Sequence, residues 1–366
     1  MAFFVGNIWL VNLFARDLTK FIPNVLPQVV KKPSSACDST RRHMAKGIIM
    51  KLLAVDDDPI FLGVLRPMLA ALGKDDVTIA QSGAEALAKL SLETEEFDCL
   101  LFDIQMPGMS GVELCRQVRS IPAYRRTPIV MITAMTGKRF IDDAFLAGAT
   151  DYITKPLDPV DLKARLGMVD HLLNERRLAA ALERKFDQRD DAVSINVDFE
   201  TPFPIPGFDR GIDYLALQNY LLMLGNKQMY ATAAIGFSVQ NASLFYRKAT
   251  ASGFVNMLGD VASAITDATK SEQMMIAYAG SGNFVAVLSA NPSTDPEDLQ
   301  MLVRLGVEDF ASFYAADRLP LPQVNVGPLV RASFFGLFNP TSILENAVTV
   351  AQSRQEAKSR SWWNAA

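Results

Sequence analysis

The side chains that could take part in chemistry follow a series of apolar runs, and they are Asp56, Asp57, Asp103, Thr133 and Lys155. Each run is short and largely apolar, which is typical of strands buried on both faces of a parallel sheet. The carboxyl ends of parallel strands meet at one edge of their sheet. We therefore expect these side chains to lie close together.

Three of these residues carry carboxylates, which repel one another unless a cation lies between them. Because none of these positions is Cys or His, the ligand set suits Mg²⁺ better than zinc. A carboxylate beside Mg²⁺ can attack a phosphoryl group and form an acyl phosphate. Lys155 can pair with the phosphoryl charge, and the Thr133 hydroxyl can donate to one of its oxygens. The pattern indicates a phosphoryl acceptor centred on Asp103, the alternative being an Asp that merely ends a strand.

The elements that must position these residues alternate regularly between strands and helices. The predicted strands are Ile48–Val55, Val77–Ala80, Cys99–Phe102, Pro128–Thr133 and Asp151–Thr154. A helical pattern follows each of them, and strands joined through helices are expected to run parallel. The sequence therefore predicts an α/β domain with a parallel, doubly wound sheet of five strands.

The composition is that of an ordinary globular protein. The 366 residues are enough for two domains, and 49% of them are hydrophobic and 21% charged. A net charge of -4 gives no reason to expect a nucleic-acid partner. No apolar run is long enough for a membrane span, and the unpatterned cysteines Cys37, Cys99 and Cys115 suit a reducing cytoplasm.

The domain organisation can be predicted from changes in this pattern. Residues 1–47 are predicted to be a disordered extension, with an amphipathic membrane-surface anchor as the alternative. Residues 48–170 form the α/β domain, and residues 171–207 a helical stalk followed by a Pro-rich linker. The stalk either pairs with another helix or is a solvated connector. Residues 208–366 are predicted to form a second α/β or α+β domain, with a helix over Asp295–Ala315.

Residues from Met50 to about Leu173 resemble the receiver domain of two-component response regulators. The matching motifs are Asp56-Asp57 after the first strand, Asp103 in Phe-Asp-Ile-Gln-Met-Pro-Gly-Met-Ser-Gly, Thr133-Ala134 and Lys155-Pro156. The resemblance implies a flavodoxin-like fold and phosphorylation of Asp103. It also implies a sensor histidine kinase or phosphotransfer protein as the phosphoryl donor.

The resemblance further implies a ligand set for Mg²⁺ at this site. Asp57 and Asp103 would bind the ion directly, together with the backbone carbonyl of Gln105. Asp56 would act on the ion through a water molecule.

A switch and a cis peptide bond are implied by the same resemblance. Thr133 would move toward the phosphoryl group, and Tyr152 would swing inward, with a plain core aromatic as the alternative for Tyr152. These movements would bias a surface built from the fourth helix, the fifth strand and the fifth helix. The Lys155-Pro156 bond would be cis.

The second domain resembles a diguanylate cyclase domain of the G-G-D-E-F family. The matching hairpin tip consists of Gly280, Ser281, Gly282, Asn283 and Phe284. Gly282 and Asn283 stand where the family has the Asp and Glu that hold metal ions at GTP. We therefore expect a degenerate domain without cyclase activity, kept for protein interaction. The alternative is an unrelated α/β module whose glycines form an ordinary turn.

Taken together, the sequence predicts a cytoplasmic response regulator that is not an enzyme. Phosphorylation of Asp103 would signal through a catalytically inactive C-terminal domain to an output partner that the sequence does not name, with a homodimer as one option. The alternative is a receiver-controlled nucleotide-binding domain or a residual diguanylate cyclase. A nucleic-acid partner and a membrane span are not expected.

Overall fold

A computed structural model describes residues 50–92, 96–186, 198–205, 208, 211–269, 274–289, 292, 295–316, 319–331 and 339–363. The predicted extension over 1–47 lies outside these residues, and so does part of the predicted linker. Residues 49–366 belong to one compact unit. Within the described stretches, no helix combines the length and the apolar character needed to cross a bilayer.

The first domain contains, among the described residues, a sheet of five parallel strands, which are β1 Leu52–Val55, β2 Val77–Ala80, β3 Cys99–Phe102, β4 Ile129–Thr133 and β5 Asp151–Thr154. Their spatial order is β2-β1-β3-β4-β5, the flavodoxin-like order of a doubly wound sheet. In this register Val55 at the end of β1 is level with Ala80 and Phe102. The predicted fold class of this domain is confirmed.

Helices cover both faces of this sheet, and they are α1 Pro59–Ala71, α2 Gly83–Leu92, α3 Gly111–Ser120, α4 Lys138–Leu146 and α5 Pro159–Phe186. A short 3-10 turn, Pro122–Tyr124, follows α3. The apolar sides of α1 and α5 pack on one face of the sheet, and those of α2, α3 and α4 on the other. The Asp58 side chain caps α1 by accepting from the Ile60 N–H, so α1 begins directly after the acidic residues at the end of β1.

The second domain is built on a separate antiparallel sheet. Its strands are β6 Thr232–Val239, β7 Met275–Gly280, β8 Asn283–Ser289, β9 Val324–Val326 and β10 Val330–Arg331. Its helices are α6 Tyr214–Met223, α7 Asn226–Tyr230, α8 Ala242–Lys248, α9 Ala251–Ala268, α10 Pro296–Glu308, α11 Ala311–Ala316 and α12 Ser342–Trp363. The sheet order is β10-β6-β8-β7, with β9 also paired to β6. The hairpin β7-β8 thus has its second strand next to β6, the arrangement of a split β-α-β unit.

The predicted helix over Asp295–Ala315 is interrupted, and the chain forms α10 and α11 instead. The break lies at Asp309 and Phe310, where the Phe310 N–H donates to the Val307 carbonyl in a tighter turn. This turn directs Phe310 and Tyr314 toward the apolar core of the second domain, so side-chain packing determines where α10 ends.

The segment 198–205, which lies within the predicted linker, packs into the second domain. The Phe199 carbonyl accepts a hydrogen bond of 2.6 Å from the Ser281 N–H at the tip of the β7-β8 hairpin. The ring centroids of Phe203 and Tyr278 lie 4.9 Å apart. Gly280 has a φ of +86°, and a Cβ there would lie 2.1 Å from the Glu200 carbonyl oxygen. The segment therefore covers the hairpin tip, and only a glycine fits beneath it.

Candidate functional site

The sheet brings Asp56, Asp103 and Lys155 to one edge, as predicted from the sequence. Hydrogen bonds between the backbone groups of neighbouring strands continue past the strand ends and position each residue. The Asp103 N–H donates to the Val55 carbonyl at 2.9 Å, and the Lys155 N–H donates to the Thr133 carbonyl at 2.8 Å. The side chains at this edge consequently project from a rigid framework.

Lys155 lies between two buried carboxylates. Its Nζ is 2.6 Å from Oδ2 of Asp56 and 2.9 Å from Oδ1 of Asp103, and these two residues are 2% and 5% exposed. The same Nζ lies 3.9 Å from the centroid of the Phe61 ring on α1. The two acidic residues therefore share one ammonium group, which the aromatic ring also stabilises.

Burial shifts the protonation equilibria of this cluster. Burial raises the pKa of Asp103, and the negative charge of Asp56 adds to the rise. The hydrogen bond from Lys155 and the positive charge of Lys155 partly offset it. Burial alone would lower the pKa of Lys155, but its hydrogen bonds to Asp56 and Asp103 and their charges raise it on balance. Lys155 is consequently a cation at neutral pH, and Asp103 is less acidic than a free aspartate.

The donor groups at this edge suit a magnesium ion by type. They are the carboxylates of Asp56, Asp57 and Asp103 and the backbone carbonyl of Gln105, all of them oxygen ligands. Asp57 is exposed, whereas the other two carboxylates are turned toward Lys155. In the described part of the chain, no group of three or more His, Cys, Asp or Glu side chains is already arranged around a metal position. These oxygen ligands suit Mg²⁺. The single ammonium group of Lys155 cannot balance three carboxylates, so negative charge is left to attract the ion.

Gly111 allows α3 to begin next to Asp103. A Cβ at this position would lie 2.0 Å from the carbonyl oxygen of Asp103, closer than any side chain tolerates. The Gly111 N–H also donates to the Ile104 carbonyl at 3.0 Å. The loop that follows Asp103 is thereby closed tightly over the end of β3.

Thr133 and Tyr152, the predicted switch residues, are both connected to Met135 in the loop after β4. The Thr133 hydroxyl accepts from the Met135 N–H at 3.3 Å, and the Tyr152 hydroxyl donates to the Met135 carbonyl. Tyr152 is fully buried, so its ring lies inward, and burial together with the Asp103 charge raises its pKa to about 12. The Lys155-Pro156 bond is cis.

The surface formed by α4, β5 and α5 is contacted by α6 of the second domain. The rings of Tyr220 and Phe145 meet edge to face, with centroids 5.5 Å apart. The Tyr220 hydroxyl donates to Asp142 at 2.8 Å and accepts from Lys138 at 3.1 Å. Asn219, which is buried, donates to the Thr150 carbonyl at 2.9 Å. We call this set of contacts the α6 interface, and its apolar residues form one continuous core with one face of the five-stranded parallel sheet.

Arg165 on α5 connects the α6 interface to β5. Its guanidinium binds Asp151 at 2.9 Å and Asp161 at 3.2 Å, and Nη2 lies 3.5 Å from the sulfur of Met223 at the end of α6. Asp151 is 2% exposed, and burial raises its pKa to about 6 although Arg165 opposes the shift. The Arg165 guanidinium thus links β5 and α5 of the first domain to α6 of the second domain.

The hairpin tip that was predicted to be a degenerate signature is closed. The buried Asn283 side chain donates to the carbonyls of Gly280 and Ser281 at 3.0 and 3.3 Å. A Cβ on Gly282 would lie 2.2 Å from the Cβ of Ala242. The backbone and the Asn283 side chain at this tip are thus held by close contacts with neighbouring parts of the second domain.

Sequence reasoning missed Phe61 and the residues of the α6 interface. Phe61 is two residues beyond the helix-starting Pro59, and its apolar type alone predicts only core packing. Tyr220 and Asn219 lie on a helix that is apolar on most sides, and this pattern indicates burial without naming the partner. These contacts link residues far apart in the chain, so local periodicity carried no signal for them.

Comparison with known proteins identifies the first domain. Residues 52–167 match the family model described as the response regulator receiver domain. The chemotaxis protein CheY1 of Helicobacter pylori is 39% identical over 120 residues, which cover 33% of this chain and 96% of that protein. The chain belongs to the response regulator receiver family through this domain.

Two further relatives match the same region. The response regulator PleD of Caulobacter vibrioides is 36% identical over 116 residues, covering 32% of this chain and 25% of PleD. A receiver domain of a sensor histidine kinase from Pseudomonas aeruginosa was solved with a magnesium ion in its active site cleft. It is 29% identical, with a TM-score of 0.31, and the match covers 34% of this chain and 98% of that one.

Proposed function

We propose that this protein is a cytoplasmic response regulator that is phosphorylated on Asp103 by a sensor histidine kinase or phosphotransfer protein. The observation that carries the proposal is the position of the Lys155 ammonium between the buried carboxylates of Asp56 and Asp103. Such an arrangement holds a cation beside the oxygen that would accept a phosphoryl group. The family membership of residues 52–167 supports the same conclusion.

In the proposed reaction, a carboxylate oxygen of Asp103 attacks the phosphorus of a phosphohistidine. A P–O bond forms as the P–N bond breaks, and the histidine nitrogen takes up a proton from solvent. A magnesium ion held by Asp57, Asp103 and the Gln105 carbonyl, with Asp56 acting through water, would supply charge that neutralises the phosphoryl oxygens. Lys155 would then turn from the carboxylates to the phosphoryl group, and the Thr133 hydroxyl would donate to it.

The α6 interface would carry the signal to the second domain. Met135 contacts both Thr133 and Tyr152, and the same loop leads into α4, which bears Lys138 and Asp142. Tyr152 lies inward while α6 is docked. If phosphorylation stabilises this inward position of Tyr152 and α6 docks preferentially on it, phosphorylation would favour the docked position of α6. The second domain would thus read the receiver through direct contact, in addition to any signal through α5.

Uptake of beryllofluoride, a phosphoryl analogue, tests the acceptor role. With Mg²⁺ present, the full chain should bind beryllofluoride and slow amide hydrogen exchange in the loop that follows Asp103. Asp103→Asn should abolish both effects, since the amide cannot replace the carboxylate that bonds to the beryllium. Glu113→Gln, an exposed acid on α3, is the control and should behave as the wild type. Unchanged binding by Asp103→Asn would refute the acceptor assignment.

For the second domain we propose a degenerate cyclase-like module without catalytic activity that acts through protein contacts. Its split β-α-β strand order and its glycine-rich hairpin support this assignment. Neither Gly282 nor Asn283 can hold a metal ion as a carboxylate would, and segment 198–205 covers the tip.

A further inference from the structure

The side of α10 that faces away from the protein carries exposed apolar residues. The opposite side packs into the core of the second domain through residues four positions apart, which are Leu299, Val303 and Val307. Met301, Leu302 and Leu305 are 63%, 44% and 47% exposed. Because residues three or four positions apart are neighbours on a helix surface, Leu305 lies beside both Met301 and Leu302. We call these three exposed residues the α10 patch.

Contacts with two neighbouring elements hold α10 in this orientation. A Cβ on Gly306 would lie 3.1 Å from the Cβ of Ala264, so the glycine lets α10 approach α9 closely. The Gln300 side chain donates to the Val324 carbonyl at 2.5 Å and accepts from the Val326 N–H at 2.8 Å, both on β9. Rotation of α10 to bury the α10 patch would break these contacts. A group of large apolar side chains that is held at the surface is typical of a site for macromolecular interaction.

The rim of the α10 patch is acidic. Asp298 and Asp309 lie about one helical turn before and after the patch, and both are exposed. Arg304, which is also on α10, lies 3.0 Å from Glu308, so its charge is directed at that carboxylate. Asp298 and Asp309 consequently give this side of the helix a net negative charge.

The combination of an apolar patch and an acidic rim distinguishes between the occupants that this surface could have. In a symmetric contact between two copies of this chain, the same acidic rim would lie on both sides, and like charges would repel. An anionic membrane surface would repel the rim as well. A basic amphipathic helix matches both features, because its apolar side can cover the patch while its lysines or arginines reach the carboxylates.

We propose that the α10 patch binds a basic amphipathic helix of a partner protein. Apolar side chains of that helix pack on Met301, Leu302 and Leu305, and its cations pair with Asp298 and Asp309. This contact rests on the proposed action of the second domain through protein contacts, for which it supplies a surface and a partner chemistry. The α10 patch shares no residue with the acceptor site or with the α6 interface.

Fluorescence anisotropy with a labelled model peptide tests this binding. The peptide is a helix of about 18 residues with leucines on one side and lysines on the other, and a second peptide carries glutamates in place of the lysines. We expect the full chain to bind the lysine peptide and not the glutamate peptide. Leu302→Ser/Leu305→Ser should weaken binding by about tenfold or more, since less apolar surface is covered. Asp298→Asn/Asp309→Asn should weaken it by about fivefold at low salt and reduce its dependence on salt concentration, because two charge pairs are lost.

The matched controls change similarly exposed residues outside the α10 patch. Leu222→Ser/Leu244→Ser removes leucines that are 46% and 38% exposed on α6 and α8, and Asp75→Asn/Asp76→Asn removes two exposed acids of the first domain. Both controls should bind the lysine peptide as the wild type does, and thermal melting should show that every variant is folded. Equal losses in the patch variants and in the controls would show nonspecific attraction and overturn the proposal.

Sedimentation distinguishes a partner helix from the other occupants. A dimer of the full chain that Leu302→Ser/Leu305→Ser dissociates would identify a second copy as the occupant. Binding to phosphatidylglycerol vesicles that the same variant loses would identify a membrane surface. Either result would overturn the proposal.

Beryllofluoride uptake separates the failure of this proposal from the failure of the proposed function. All patch variants should take up beryllofluoride as the wild type does, because none of the changed residues belongs to the acceptor site. If the wild type takes up beryllofluoride but does not bind the lysine peptide, the α10 patch is not a docking surface for a basic helix, and the phosphorylation of Asp103 stands.

Discussion

The Lys155 ammonium is the positive charge that the two buried carboxylates share, and its removal would expose their repulsion. Lys155→Met keeps the length of the side chain but leaves Asp56 and Asp103 as buried acids without a cation. We expect the free energy of unfolding to fall by about 2 kcal/mol at neutral pH, less than for a fully buried pair because Lys155 is partly exposed. Urea denaturation measures the loss.

Magnesium should reverse this loss if the carboxylates form its site. Millimolar Mg²⁺ should raise the urea concentration at the midpoint of unfolding more for Lys155→Met than for the wild type, because the ion can replace the missing positive charge. Lys74→Met is the matched control, since Lys74 binds Asp170 at 2.6 Å and is also largely buried. The absence of any Mg²⁺-dependent recovery that is specific to Lys155→Met would argue against a metal site.

The raised pKa of Asp151 predicts that the stability of the folded protein depends on pH. Its pKa is about 6 in the folded protein, against about 3.9 for an unfolded aspartate. Between these values the folded state holds a proton that the unfolded state has released, so stability falls as the pH rises from about 4 to 6. Over this range the ionisation of Asp151 lowers the free energy of unfolding by on the order of 3 kcal/mol.

The variant Asp151→Asn should flatten this dependence, as measured by urea denaturation at several pH values between about 4 and 7. Asp161→Asn is the control, because Asp161 also binds Arg165 but is 44% exposed in its side chain. If Asp161→Asn flattens the curve and Asp151→Asn does not, the assignment of the pKa shift to Asp151 is wrong.

At the scale of elements, the α6 interface is the contact through which the second domain can sense the receiver. It joins α4 through Tyr220, the start of β5 through Asn219, and α5 through Arg165. If docking of α6 favours the phosphorylated form, phosphorylation must favour docking by the same factor. The coupling can therefore be measured from either side.

Tyr220→Phe should weaken the affinity of the receiver for beryllofluoride. The variant keeps the ring packed on Phe145 but removes the hydroxyl bonds to Asp142 and Lys138. Loss of these hydrogen bonds should weaken docking of α6 by about 1 kcal/mol. If docking is fully coupled to beryllofluoride binding, the affinity for beryllofluoride falls about fivefold. Titration with beryllofluoride at fixed Mg²⁺ measures the change.

Tyr314→Phe is the matched control for this experiment. Tyr314 also donates to an aspartate at 2.8 Å, but its partner is Asp260 on α9, within the second domain. This variant should lose similar stability and keep its beryllofluoride affinity. An unchanged affinity in Tyr220→Phe would mean that the α6 interface does not sense the acceptor site.

The sequence made the acceptor edge predictable because each residue there follows an apolar strand in a regular α/β alternation. Asp56, Asp103 and Lys155 meet because parallel strands share one edge, a consequence of topology that local patterns reveal. The packing of segment 198–205 on the hairpin was not predictable in this way. Its prolines indicated a linker, whereas its half-buried phenylalanines pack against distant partners whose positions no local pattern specifies.

At the scale of the whole molecule, restoring acidic residues at the hairpin tip should not restore a cyclase. Gly282→Asp/Asn283→Glu would supply the missing carboxylates, but a side chain at 282 overlaps Ala242 and the tip stays beneath segment 198–205. We expect no conversion of GTP to cyclic di-GMP by this variant or by the wild type, assayed by chromatography with and without beryllofluoride. Product formation by either would contradict the proposal of a catalytically silent domain.

The packing of segment 198–205 also determines how this protein can be divided and recombined. Phe199 packs against Tyr246 and Phe254, with ring centroids 5.2 and 6.0 Å apart, and Phe203 packs against Tyr278. A chimera joined at residue 208 would leave these aromatic residues of the second domain without their neighbours. The natural unit of exchange therefore begins before Asp198, so a stretch whose sequence predicts a spacer belongs with the second domain, against whose core it packs.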